Sequence, residues 1–352
     1  MLASPLRPIV LPASVIVGLL LFLLGGSSVY AFLPPRSAAA SHATMTSSSS
    51  PPAQESQTEH ANDQDNGINV AFLGNSILYF NDTPRFLVNL SKQKIAYQDS
   101  CLRGGTTLTE LYTLGNGMKR HGFATNNALM ANGDYDVGSP TVQHLLQEKQ
   151  IQWDVIVMNE HTQGPARQAT RNEFHSTLVQ RYLPLITTNN PKATIIFIET
   201  AAYRLQGINN SEDLGTTHQF QQSVREGIQS YIQLVHEHEK NILARMAPVG
   251  TAFLRVHDDN HELWEKLFDP WDNFHPSPTG TFLQGCVLHC TIFGIPPKCP
   301  RTMEEIEVLW NDARMMHPKK KGSDAVALPS VSEVEYLWKI AWDVCQLEQS
   351  KL

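Results

Sequence analysis

The sequence predicts an α/β protein, a three-layer α/β/α sandwich around a mostly parallel sheet. Short apolar runs rich in β-branched residues recur with little polar alternation, as a sheet buried on both faces requires. Longer segments with helical periodicity separate them, which favours parallel strands joined by right-handed crossovers. Polar residues capable of chemistry gather just after the strand ends, where such folds carry their sites.

Residues 1–66 precede this pattern and do not read as a folded domain. Ile9 to Leu24 is strongly apolar, follows Arg7, and leads to Val29-Tyr30-Ala31, a small-x-small sequence of signal-peptidase type. Entry into the secretory pathway is expected, either with residues 1–33 removed as a signal peptide or with the apolar run kept as a single-pass type II anchor, since roughly 20 residues span a bilayer. Phe32 to Ser50 has Arg36 and His42 but no acid. That composition suits a disordered Ser/Pro-rich stem and also the second half of a bipartite plastid presequence. The polar tract Pro51 to Asn66 completes a linker, residues 34–66.

From Ile68 the elements follow in order. Ile68 to Leu73 is a strand closed by Gly74, and Thr83 to Ile95 is a helix with Phe86, Leu87, Leu90 and Ile95 apolar. Further strands are expected at Tyr97 to Leu102, Trp153 to Met158, Ala193 to Glu199 and Ile242 to Val249. Helices are expected at Asn172 to Thr188, at Gly215 to Lys240, and after His275, where Cys286 and Cys290 sit four apart on a buried face. One domain, 67–300, contains all of these. A C-terminal extension, 301–352, adds helices at Met303 to Ala313 and Val331 to Leu347, around a loop from Lys319 to Ser330, whose apolar faces should pack on the core.

Composition excludes some functions. The chain has 352 residues and a net charge of −7, and its one basic cluster, His317-Pro-Lys-Lys-Lys321, reads as a solvated loop; no nucleic-acid partner is expected. Five cysteines show no Cys-x-x-Cys or His spacing of a zinc site, so neither metal nor cofactor is required. Free core thiols are the simplest reading. Sequons at Asn81, Asn89 and Asn209 are compatible with glycosylation.

Four polar landmarks follow strand ends: Ser76, then Arg103-Gly104-Gly105-Thr106-Thr107, then Asn159-Glu160-His161, and finally Asp272-Asn-Phe-His275. A serine hydroxyl is a weak nucleophile that needs an imidazole to take its proton, and a carboxylate to orient that imidazole. Asp272 and His275 can supply both from one tight loop. Developing oxyanion charge needs donors, and the N–H groups of Ser76 and of the glycine loop with the Asn159 carboxamide could provide them. Each landmark has a plainer reading. Gly74-Asn75-Ser76 could be a turn with an N-cap, Gly104-Gly105 a loop before a capped helix, Asn159 a backbone anchor, and Asp272 and His275 a turn cap with a half-buried ring. Their common placement and order favour the catalytic reading.

The same residues carry a family resemblance. Gly74-Asn75-Ser76, Gly105 (or Gly104), Asn159, and Asp272-x-x-His275-Pro resemble the four blocks of the SGNH hydrolase superfamily, the GDSL esterases. The resemblance spans about Ile68 to Pro297 and implies a flavodoxin-like sandwich of SGNH type. It also implies a catalytic Ser76, Asp272 and His275 with an oxyanion hole of Ser76, Gly105 and Asn159. Asn75 stands where the family commonly has Asp, and Met158-Asn-Glu-His161 replaces its usual Gly-x-Asn-Asp. Arg103, Glu160 and His161 are candidates for substrate contact, although surface exposure is the simpler expectation for Glu160 and His161. The expected activity is removal of a small acyl group, foremost acetyl, from a glycan or other small ester. An acyltransferase on the same site, a lipase or thioesterase, and a non-catalytic glycan-binding protein or scaffold are the alternatives.

Overall fold

The computed structural model describes residues 67–118, 137–148, 150–315 and 327–351, all within one compact unit, Asn62–Leu352. The signal or anchor, the linker or presequence and the basic cluster lie outside the described residues. Among those described, no helix is long and apolar enough to cross a membrane.

Five strands, β1 (Ile68–Gly74), β2 (Ile95–Leu102), β3 (Val155–Met158), β4 (Thr194–Ile198) and β5 (Leu243–Ala247), form one all-parallel sheet in the order β2-β1-β3-β4-β5. Period-two alternation sends Val70, Phe72, Val157 and Ile196 into one core and Ala71, Leu73, Ile156 and Ile195 into the other. The three central strands β1, β3 and β4 are therefore apolar on both faces, whereas edge strand β2 carries Gln98, Asp99 and Ser100 and edge strand β5 carries Arg245. The first core is covered by α2 (Thr83–Ser91), α9 (Val249–Asp259), α10 (His261–Lys266), α11 (Pro278–Phe293), α12 (Met303–Val308) and α13 (Val331–Gln349). The second is covered by α3 (Leu108–Leu114), α4 (Val142–Gln147), α6 (Gln168–Thr177), α7 (Leu183–Asn189) and α8 (Thr217–His238). One-turn helices α1 (Ser76–Tyr79) and α5 (Gln163–Ala166) follow β1 and the β3 loop.

The chain leaves β1 for β2 on one side and returns to β3 on the other. The crevice at the carboxyl ends of β1 and β3 is thus the topological switch point, where open α/β sheets place ligands. Gly74 makes the ends of these strands fit together: a Cβ there would stand 2.8 Å from Asn159 Cβ and 2.9 Å from its carbonyl oxygen.

Several boundaries differ from the sequence expectation. Ile95 begins β2 instead of ending a helix, because Lys92 and Gln93 take positive φ (44° and 65°) and stop α2 at Ser91. The Asn172–Thr188 helix is divided into α6 and α7 by a π-helical turn, Leu178–Tyr182. The strand expected to reach Val249 stops at Ala247, and Val249 opens α9. In the C-terminal region Ile306, Trp310, Val334 and Leu337 enter the same core as the sheet. All five cysteines are free thiols, four of them buried. The Asn81 carboxamide is buried and donates to the Pro276 carbonyl, while Asn89 donates to the Leu309 and Asn311 carbonyls. Asn209 alone of the three sequon asparagines is exposed.

Candidate active site

Ser76 is the first residue of α1, at the end of β1. Its N–H has no partner within the helix, as at every helix start. Asn75 is the N-cap, accepting from the Ile77 N–H (3.1 Å) and donating to the Thr106 carbonyl (3.1 Å), which ties the serine turn to the glycine loop. In that loop Gly105 takes φ +64°, with open space where a Cβ would be. Thr107 then caps α3 through a reciprocal capping box with Glu110.

The Asp272–His275 loop precedes α11. Asp272 Oδ2 lies 2.6 Å from His275 Nδ1, while its Oδ1 accepts the N–H groups of Phe274 (3.1 Å) and His275 (3.0 Å). Burial pushes the Asp272 carboxyl up, but the side-chain and main-chain hydrogen bonds from His275 outweigh it and hold the group below the ordinary aspartate range. Phe80 stacks on the imidazole at 3.8 Å, almost parallel, and Phe274 lies 4.0 Å away. The ring is thereby fixed in plane and tautomer, with Nε2 buried and free of any hydrogen bond. The Ser76 side chain hydrogen-bonds with Tyr79.

Ser76, Gly104, Gly105, His161 and His275 line one cavity of about 500 Å³. Ile77, Tyr79 and Phe274 form its less polar part, and Thr162, Gln163, Tyr203, Asn209 and Asn210 its polar wall. Gln163 braces that wall by donating to the Asn209 carbonyl (2.7 Å) and Tyr203 Oη (3.2 Å); Arg167 holds the Asn210 carbonyl at 2.6 Å. The Arg204 N–H donates to the Asn273 carbonyl (3.0 Å), joining the wall loop to the histidine loop. Sequence reading missed Tyr79, Gln163 and Tyr203. Gln163 and Tyr203 each sit five residues beyond the ends of β3 and β4, which was the signal available.

The other candidates are placed differently. Asn159 is fully buried behind Gly74; its N–H donates to the Leu73 carbonyl (2.8 Å) and its Nδ2 to the Glu160 carbonyl (3.0 Å). An amide nitrogen has two hydrogens, so one donor remains. Arg103 turns away from the cavity and donates to the carbonyls of Leu114 and Gly115, closing the end of α3. Glu160, expected at the surface, is buried and accepts the N–H groups of Leu108 and His161, pinning the β3 loop to α3. Burial pushes its carboxyl up to about 8. His161 does reach the cavity, half-buried, and burial lowers its pKa, which keeps the ring neutral at pH 7.

No family model and no curated protein matches the sequence. Solved structures do. The chain is similar to a DUF4886 family protein from Bacteroides uniformis at 13% identity and TM-score 0.54, over 81% of this chain and 99% of that one. It is also similar to a protein described as an SGNH hydrolase from Slackia heliotrinireducens (23% identity, TM-score 0.44, 64% and 100% coverage). A third is an extracellular lipase from Streptomyces rimosus (11%, 0.35, 63% and 98%). At these identities the likeness concerns the fold.

Proposed function

We propose that this chain is a serine ester hydrolase of SGNH type that removes a small acyl group, foremost acetyl, from a carbohydrate or other small polar ester. The observation that carries it is the 2.6 Å Asp272–His275 contact facing Ser76 across one cavity at the switch point of the sheet. Ser76 Oγ attacks the ester carbonyl while His275 Nε2 takes the hydroxyl proton. Asp272 holds the ring through Nδ1 and stabilises the imidazolium. The N–H groups of Ser76 and Gly105, with the remaining Asn159 donor, meet the oxyanion. Collapse of the tetrahedral species breaks the bond to the leaving alcohol, which takes the proton from His275. Water, deprotonated by the same imidazole, then releases the acid and restores Ser76.

The substrate class is supported by the wall. Asn209 and Asn210 present side-chain amides, Gln163 and Tyr203 brace the wall behind them, and neutral His161 adds an imidazole. Such a lining suits a hydroxylated leaving group better than a long hydrocarbon chain. A panel of p-nitrophenyl esters from acetate to decanoate tests this with wild type, Ser76→Ala and His275→Ala. Highest kcat/KM on acetate is expected, falling with chain length, and both variants should lose on the order of 10⁴-fold or more in kcat. Equal turnover by the three proteins would sink the triad, whereas a preference for decanoate would remove only the substrate class.

A further inference from the structure

A second group of chemically capable side chains lies where the first turn of α8 meets the last turn of α9, and it shares no residue with the cavity. Asp258 Oδ1 is 3.0 Å from His218 Nε2 and 2.8 Å from His257 Nδ1, and one ligand atom from each of the three lies within 4.8 Å of the others. We propose that His218, His257 and Asp258 form a binding site for a first-row divalent transition ion, zinc foremost, that ties α8 to α9.

Geometry supports it. Around a tetrahedral ion with ligands at roughly 2.0–2.1 Å, neighbouring ligand atoms stand about 3.3 Å apart. The two contacts to Asp258 need to open by a few tenths of an ångström and the two imidazoles to draw together, which surface side chains on helices accomplish by rotation alone. His257 is held edge-on against Trp264 (4.6 Å, 86°) and against His218 (5.3 Å, 80°), so the rings are positioned before any ion arrives. Side chains of His218 and Asp258 are about half exposed, at 54% and 48%, leaving a path for the ion and room for water as a fourth ligand. Two imidazole nitrogens with one carboxylate oxygen suit zinc, nickel or copper; magnesium and calcium take oxygen ligands. Sequence spacing hides the site because its histidines come from helices separated by β5.

Full-length protein dialysed against a chelator, with its thiols kept reduced, is titrated calorimetrically with zinc chloride and melted with and without the metal. One equivalent should bind through this site, and zinc at 100 times its Kd should raise the folded-to-unfolded ratio about 100-fold, seen as a higher Tm reversed by EDTA. His218→Ala and Asp258→Asn should each lose that equivalent and the Tm response. Both positions are exposed enough for the variants to match wild type in melting under chelator, and ester turnover should be unchanged. Magnesium should not shift the Tm. Failure of wild type to bind zinc at about 100 μM, or variants that keep its stoichiometry and Tm shift, would overturn the site.

Discussion

Asp272 shows how one side chain can set the chemistry of another. One carboxylate oxygen fixes His275 Nδ1, and the other accepts two main-chain N–H groups of the same loop. Replacing Asp272 with Asn retains the shape and loses the preference for the productive tautomer. Its kcat is expected to fall by on the order of 10⁴ with KM little changed, read from initial rates on p-nitrophenyl acetate. Because Ser76 and His275 act as a unit, the double variant Ser76→Ala/His275→Ala should be no slower than either single variant.

At the scale of elements, two glycines separate building the site from running it. A Cβ at Gly74 meets Asn159 at 2.8 Å and forces β1 and β3 apart, so Gly74→Ala should cost roughly 1–3 kcal/mol by denaturant unfolding. At Gly105 a Cβ meets nothing within 4 Å, but φ is +64°. Gly105→Ala should cost about 1–2 kcal/mol of stability and lower kcat at least about tenfold by tilting an oxyanion donor. Strands β1, β3 and β4 could be read from sequence because β-branched apolar runs with little polar alternation have few other uses; β2, with Gln98, Asp99 and Ser100, and β5, with Arg245, carry that signal less clearly. Strand-end placement then indicated Ser76 and Gly105, while His275, which follows α10 and not a strand, was indicated by its Asp272-x-x-His275 pattern. Less could be read where tertiary partners decide. Ile95 is apolar enough for helix or strand, and only the left-handed Lys92 and Gln93 assign it. Glu160 reads as a surface charge until two main-chain N–H groups are seen to draw it inside, and Arg103 as a substrate contact until the end of α3 supplies its acceptors.

Among the described residues, three buried carboxyls have raised pKa values: Asp82 to about 7, Glu160 to about 8 and Glu199 to about 7, each mainly through burial. Raised folded values mean that the folded state binds more protons than the unfolded chain, whose carboxyls titrate near 4. Their contribution is therefore complete below about pH 4 and is lost as pH rises through 7 to 8. Thermal melts should show Tm declining from pH 6 to pH 9, with a shallower decline in Glu160→Gln. Arg225 links Glu199 (3.3 Å) to Glu348 of α13. Arg225→Met leaves Glu199 buried without its cation, a loss on the order of 3 kcal/mol when ionised, so its Tm deficit should be larger at pH 8.5 than at pH 6.

The central claim is that Ser76 is a nucleophile activated by His275. It is tested most directly by treating the protein with a small fluorophosphonate, digesting it, and locating the adduct by mass spectrometry. One phosphonyl group on Ser76, formed rapidly in wild type and at least about 100-fold more slowly in His275→Ala, is the expected result. A wild-type protein left unlabelled, an adduct on another residue, or equal labelling rates in the two proteins would contradict it.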